Sequence, residues 1–237
     1  MTTVLQAQQL WKVYDTGSVK VKALKGVDLE ISQGEMVAIM GPSGCGKTTF
    51  LNCVSSLDDF TTGEVFVDGQ SLSKMSDRER TDMRKNHLGF VFQSFNLIPV
   101  LSAVENVELP LILKGKSGKD ARAIALDALD SVGLKDWSGH LPAELSGGQQ
   151  QRVTIARAFA HQPALILADE PTGNLDTATS DSVMALLGDL NKNKGITFVI
   201  VTHEEEIARH CTRLVTIQDG LIIGDEQIEK ADNNEEE

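Results

Sequence analysis

Apolar and polar positions alternate loosely through the first thirty or so residues, in LQAQQLWKVYDTGSVKVKALKGVDLEI. A period near two predicts two or three strands, with turns at Asp15–Ser18 and near Gly26. The next apolar run, EMVAIM, is short enough for a buried strand and leads at once into GPSGCGKTTFLNCVSSL, a glycine loop opening a helix. GEVFVDGQ predicts a hairpin strand with Asp68–Gly69 as its turn, and LGFVFQ a further apolar strand.

From Ser94 to about Glu144 the period lengthens. LSAVENVELPLILKG is phased as a helix, and KDARAIALDALDSVGL as an amphipathic helix. Residues 94–144 therefore read as a helical subdomain inserted into a sheet domain. QQQRVTIARAFAHQ predicts a helix stopped by Pro163. ALILADE and ITFVIVTH are wholly apolar strands, as a parallel sheet covered on both faces requires. SDSVMALLGDLNKNKG is the helix between them, and RLVTIQDGLII predicts a closing hairpin. The order predicts an α/β fold without internal repeats.

Gly41 to Thr48, GPSGCGKT, matches GxxxxGK[ST] in the context that gives the pattern meaning, after a strand and opening a helix. Glycines at Gly41, Gly44 and Gly46 let backbone N–H groups, with those of Ser43 and Cys45, wrap a phosphate. The helix near Lys47 aims its positive end at the same anion. Lys47 is expected to reach the β- and γ-phosphates, and Thr48, followed by Thr49, to ligate Mg²⁺. ALILADE ends in two carboxylates at the sheet edge where ligands bind. Asp169 is expected in the Mg²⁺ shell and Glu170 as the general base for the attacking water.

Gln93 and His203 end two other strands near the same place. Gln93 can touch Mg²⁺ or the water and report to the helical insert. His203 can donate to the γ-phosphate or orient Glu170. Tyr14 on an early strand can stack on the base, with Trp11 as its competitor. A second glycine-rich element, Ser146, Gly147, Gly148 and Gln149 in LSGGQQQR, again heads a helix and presents anion-binding N–H groups. If this element lies far from its own phosphate loop, a two-fold dimer can offer it to the partner's ATP.

Composition narrows the setting. The 237 residues suffice for one large domain or a core with an insert. A net charge of −12 argues against a general nucleic-acid binder. No apolar run of about 18 residues spans a membrane, and the N-terminus lacks a secretory pattern. Cys45, Cys53 and Cys211 have no metal or redox spacing and read as thiols of a reducing cytosol. The end of the chain, EKADNNEEE, reads as a solubilising tail.

With these motifs in order, the chain resembles the nucleotide-binding subunit of ABC transporters from residue 4 to about 226. GPSGCGKTT resembles the Walker A loop, LSGGQ the signature, LILADE the Walker B strand and GNLD the D-loop. The resemblance implies a RecA-like phosphate-loop NTPase with a mixed-sheet core, an N-terminal antiparallel β subdomain and the inserted helical subdomain. It implies one ABC ATPase domain over residues 1–226, with a disordered tail over 227–237. It also implies a head-to-tail homodimer around two Mg-ATP, in which Ser146, Gly148 and Gln149 touch the partner's nucleotide and Asp176 couples the sites. Membrane permease subunits would dock beside the insert near Gln93, placing the chain on the cytoplasmic face of the inner membrane.

FVFQSFNLIPVLSAVENVELPL and LADEPTGNLD resemble, more narrowly, the macrolide-exporter, lipoprotein-release and cell-division group. Membrane partners in that group carry a large extracytoplasmic domain. A mechanical signalling subunit that regulates an extracytoplasmic enzyme is the alternative expectation. Soluble cassettes of DNA repair or translation fit poorly, since they need a long coiled coil or a second cassette. Cys45 stands where serine is usual and Glu204 where aspartate is, while every catalytic position of the family is filled.

Overall fold

The computed structural model of the chain describes residues 2–228. Two long strands, β1 (Thr3–Asp15) and β2 (Lys20–Ser32), pair antiparallel around a turn that contains Gly17. The second expected turn, near Gly26, is instead a kink inside β2. Gly26 takes φ 78°, and the register slips opposite it, around Gln9 and Leu10 of β1. A bulge of this kind absorbs an extra residue without ending the strand. Trp11 packs over the kink, its Nε1 only 3.0 Å from where a Gly26 Cβ would stand.

β3 (Met36–Met40) leads through the glycine loop into helix α1 (Lys47–Val54). β4 (Thr62–Val67) and β5 (Gln70–Ser71) form the hairpin at Asp68–Gly69, both residues having positive φ. Helix α2 (Asp77–His87) follows, an element that apolar periodicity does not announce because Met83 is its only buried residue. Its signal is chemical: Ser76 and Glu79 form a capping box. After β6 (Leu88–Phe92) come α3 (Ala103–Leu113), α4 (Gly118–Ser131) and α5 (Gly147–Phe159), N-capped by Ser102, Ser117 and Ser146. The chain continues through β7 (Leu165–Asp169), α6 (Thr177–Lys194), β8 (Phe198–Val201) and a short α7 (Glu205–Ala208). It closes with the hairpin β9 (Arg213–Gln218) and β10 (Leu221–Gln227). A tail is expected from residue 227, but Gln227 ends β10 paired with Arg213, and the Ile228 N–H donates to the Thr212 carbonyl at 2.9 Å; the rest of the expected tail lies outside the described residues.

The strands form two sheets, ordered β2-β1-β4-β5 and β10-β9-β3-β8-β7-β6. The second is parallel except for β10. Its side chains feed two cores by alternation. Met36, Ala38, Ile166, Ala168, Phe198 and Ile200 face the helical layer. Val37, Ile39, Leu165, Leu167, Val199 and Val201 face α1 and the antiparallel sheet. Both faces are dry, which is why these strands read as unbroken apolar runs. Helices α3, α4 and α5 share the first core through Val107, Leu111, Ala125, Leu129, Val153 and Ile155. Among the described residues no helix is long and apolar enough to cross a membrane.

Candidate active site

Parallel pairing brings four strand ends to one edge. Asp169 pairs with Val201 on one side and with Phe92 on the other, and Ile39 pairs with Val201. The residues just past these ends, in the glycine loop and at Gln93, Glu170 and His203, therefore converge without any long side chain having to reach.

The glycine loop follows β3. Gly41, Gly44 and Gly46 have φ of 151°, 77° and 111°. At Gly46 a Cβ would stand 2.5 Å from the Ala23 carbonyl oxygen, and at Gly41 2.0 Å from that of Ile217, so the loop is glycine-lined for space as well as for turn geometry. Lys47 is nearly buried and folds back, its Nζ donating to the carbonyls of Gly41 (2.7 Å) and Pro42 (3.0 Å). The loop is thus held open by the cation that an incoming phosphate would recruit. Cys45 and Cys53 are buried free thiols, and burial pushes Cys53 up to about 12.

Thr48 is the second residue of α1, and its hydroxyl lies 3.3 Å from Asp169 Oδ1. Burial raises the Asp169 carboxyl above its ordinary range; the Thr48 bond opposes this, Glu170 adds repulsion and Lys47 attraction. A hydroxyl beside a carboxylate whose charge is poorly solvated offers two hard oxygens, a pairing that fits Mg²⁺ shared with phosphate oxygens. Glu170 has φ 48°, a left-handed conformation that costs a non-glycine residue about 1–3 kcal/mol. Its N–H is nevertheless bonded to Val201 O at 2.9 Å, so the sheet itself holds the strained residue. His203 Nδ1 lies 2.9 Å from Glu170 Oε1. A carboxylate accepts, so the imidazole donates here and sets the direction of the carboxylate.

Gln93 faces a small polar cleft with Thr48, Ser94, Asn96, Asp169 and Glu170. It is latched by Asn174, which lies inside the GNLD stretch without a role assigned to it there. Asn174 Nδ2 donates to the Gln93 carbonyl (2.9 Å) and its Oδ1 accepts from Gln93 Nε2 (3.3 Å). Gly173 makes the approach possible, since its Cβ would fall 2.6 Å from Gln93 Nε2. The signal in the sequence was the GN pair inside GNLD. Just beyond Gln93, Phe95 and Asn96 take positive φ. Their carbonyls accept from Arg157 of α5 at 3.0 and 2.7 Å. The loop after Gln93 is thereby pinned to the helix that Ser146 heads.

At that helix Ser146 Oγ accepts from Gln149 N (3.3 Å) and Gln149 Oε1 from Ser146 N (2.9 Å), a reciprocal capping box. The two glycines also have a reason within the chain. A Cβ on Gly148 would stand 2.5 Å from Thr179 Cγ2, and one on Gly147 3.3 Å from Leu175 and 3.8 Å from Phe95. Asp176 caps α6, taking the Thr179 N–H at 3.0 Å and the Thr179 hydroxyl at 2.7 Å, and these bonds hold its carboxyl below the usual range. Tyr14 is tied to the segment after α1 by its hydroxyl, which donates to Asp58 Oδ2 at 2.8 Å. Trp11 is committed to covering Gly26.

Residues 24–173 match the family model for ABC transporters. An uncharacterized ABC transporter ATP-binding protein of Thermotoga maritima is 49% identical over 227 residues, 96% of this chain and 97% of that one. The lipoprotein-releasing system ATP-binding protein LolD of Legionella pneumophila is 45% identical over 219 residues, 92% and 96% of the two chains. The structure superposes with a TM-score of 0.86 on the dimeric structure of the ABC transporter cassette MJ0796, at 46% identity, covering 96% of this chain and 100% of that chain. A second structure of that cassette, a post-hydrolysis state bound to ADP and Pi, matches equally at 45% identity, with the same coverage of 96% and 100%. With its RecA-like α/β core and its phosphate loop, this chain belongs to the ABC transporter family as an ATP-binding and ATP-hydrolysing cassette.

Proposed function

We propose that this cassette is the motor of a mechanical ABC pump of the lipoprotein-release or exporter type. It acts from the cytoplasmic face of the inner membrane on a permease with a large extracytoplasmic domain. The observation that carries the ATPase part is the convergence of Lys47, Thr48, Asp169, Glu170, Gln93 and His203 at one sheet edge. Similarity to LolD proteins over most of both chains supports the choice of partner class.

Gly41, Ser43, Gly44, Cys45, Gly46 and Thr49 line the loop that cradles the phosphates, and Lys47 leaves its two carbonyls to meet them. Thr48, Asp169 and Gln93 would hold Mg²⁺. Mg²⁺, when bound, neutralises charge on the phosphates. Glu170, aimed by His203, takes a proton from the attacking water. Tyr14 stacks on the base. Ser146, Gly147, Gly148 and Gln149 serve the ATP of a second copy across a two-fold axis, and Asp176 lies beside that contact. Similarity to a cassette solved as a dimer supports this arrangement. Alanine at Ser146 is expected to lower turnover more than about tenfold, the scale of a lost charge-assisted bond, while ADP binding to the monomer stays native. Equal losses in both assays would show that Ser146 only caps its helix.

The permease docks in the apolar groove between the sheet and α3, lined by Leu57, Phe90, Phe92, Leu109, Leu113 and His161. Phe90 and Phe92 stack there with centroids 5.8 Å apart. Leu113 is 63% exposed, a large apolar side chain with nothing over it. The native membrane partner is expected to co-purify with Glu170→Gln protein in Mg-ATP and to be lost when Leu113→Glu is added. Retention of the partner by the double variant would place the docking surface elsewhere.

A further inference from the structure

Tyr14 does not stand alone on its strand. Its hydroxyl donates to Asp58 Oδ2 at 2.8 Å. The other oxygen of that carboxylate, Oδ1, takes a hydrogen bond from Lys12 Nζ at 2.7 Å. Lys12 also donates to the Asp59 carbonyl, so the ammonium is fixed at two points. The same ammonium lies 4.6 Å from the centroid of the Tyr14 ring. Lys12 is 8% exposed and Tyr14 39%, so the cation against the ring is buried while part of the ring stays accessible. Burial alone would lower the Lys12 ammonium, yet the Asp58 bond and charge raise it above its ordinary value. Burial likewise works to raise Asp58, but bonds from Lys12 and Tyr14 hold it below the usual carboxylate range. Both groups are charged at neutral pH.

We propose that Asp58 and Lys12 are positioning residues for the nucleotide base, holding the Tyr14 ring edge-fixed so that its accessible part can stack. The proposal rests on the assignment of Tyr14 as the stacking residue. Asp58 follows the end of α1, the helix opened by the phosphate loop, and its N–H donates to the Asn52 carbonyl of that helix at 3.1 Å. The ring is therefore referenced to the same rigid element that binds the phosphates. A ring anchored in this way spares the rotamer entropy that a free exposed tyrosine loses when a base stacks on it. The cation against the ring attracts the ring quadrupole and opposes its rotation.

The test compares ADP with inorganic pyrophosphate on the full chain, by calorimetry without hydrolysis. Tyr14→Phe keeps the ring and removes the tether, and Asp58→Ala removes both of its bonds. Each is expected to weaken ADP by about threefold or more with pyrophosphate affinity unchanged. Tyr14→Ala is expected to weaken ADP on the order of tenfold, the scale of one base–aromatic stack. In steady state KM for ATP rises and kcat holds. If Asp58→Ala fails to fold, it loses pyrophosphate as well, and Tyr14→Phe decides the question alone. Native ADP affinity in Tyr14→Ala would overturn the stacking assignment and the proposal with it. Loss in Tyr14→Ala but native affinity in Tyr14→Phe would leave stacking intact and overturn the positioning role.

Discussion

Glu170→Gln protein is expected to hydrolyse ATP about 10²–10⁴-fold more slowly than the native cassette, the usual worth of a positioned general base, while binding ATP as well or better. Glutamine keeps the shape of the side chain, and the backbone that positions it is held by the Glu170 N–H to Val201 O bond, which the substitution leaves alone. What is lost is the basic oxygen that His203 aims. A cassette that binds but does not cleave should accumulate as a closed dimer. Size-exclusion chromatography in Mg-ATP should show about twice the native monomer mass, reverting when nucleotide is removed. Hydrolysis at the native rate would take the general-base role away from Glu170. Absence of an ATP-dependent dimer, even with the membrane partner present, would undo the shared-site arrangement.

Lys47→Ala should have the second-largest effect, and at an earlier step. Removing one charged hydrogen-bonding group from a phosphate site costs about 1.5–3 kcal/mol, so ATP affinity should fall on the order of 10–100-fold. The loop should also lose its internal brace, because Lys47 Nζ bonds the Gly41 and Pro42 carbonyls. Pyrophosphate should be weakened as much as ATP, in contrast to the base-specific losses expected around Tyr14. Equal ATP affinity in the variant and the native chain, measured calorimetrically, would mean that backbone N–H groups alone carry the phosphates.

Much of the site was legible because its chemistry is local. A glycine loop between strand and helix, or two carboxylates ending an apolar strand, is written in consecutive residues, and each stretch folds as its own pattern requires. What escaped was of another kind. Helix α2 has one buried side chain, Met83, so it leaves no apolar stripe to read. Gly26 looked like a turn because a glycine between alternating runs can serve as a turn or a bulge, and only the pairing of β1 with β2 decides which. Asn174 lies inside GNLD without a role assigned to it there, and Arg157 and Asp58 carry no motif. They matter through partners 81, 61–62 and 44–46 residues away.

The glycines of LSGGQ show the same division. Their sequence context pointed to backbone N–H groups offered to an anion, and Ser146 does cap a helix mouth. The tertiary structure adds that a Cβ at Gly148 would stand 2.5 Å from the Thr179 methyl of α6, so that side chain would have to shift to admit it. By itself, then, the sequence determined the apolar strands, the helices with apolar stripes, the phosphate loop and the acids, because periodicity and loop chemistry act over a few residues. The tertiary structure alone decided which side chains brace that machinery. The Gln93 latch, the tie from Arg157 to its loop and the Asp58 hold on Tyr14 exist only once parallel pairing and close packing have brought distant stretches within hydrogen-bonding distance.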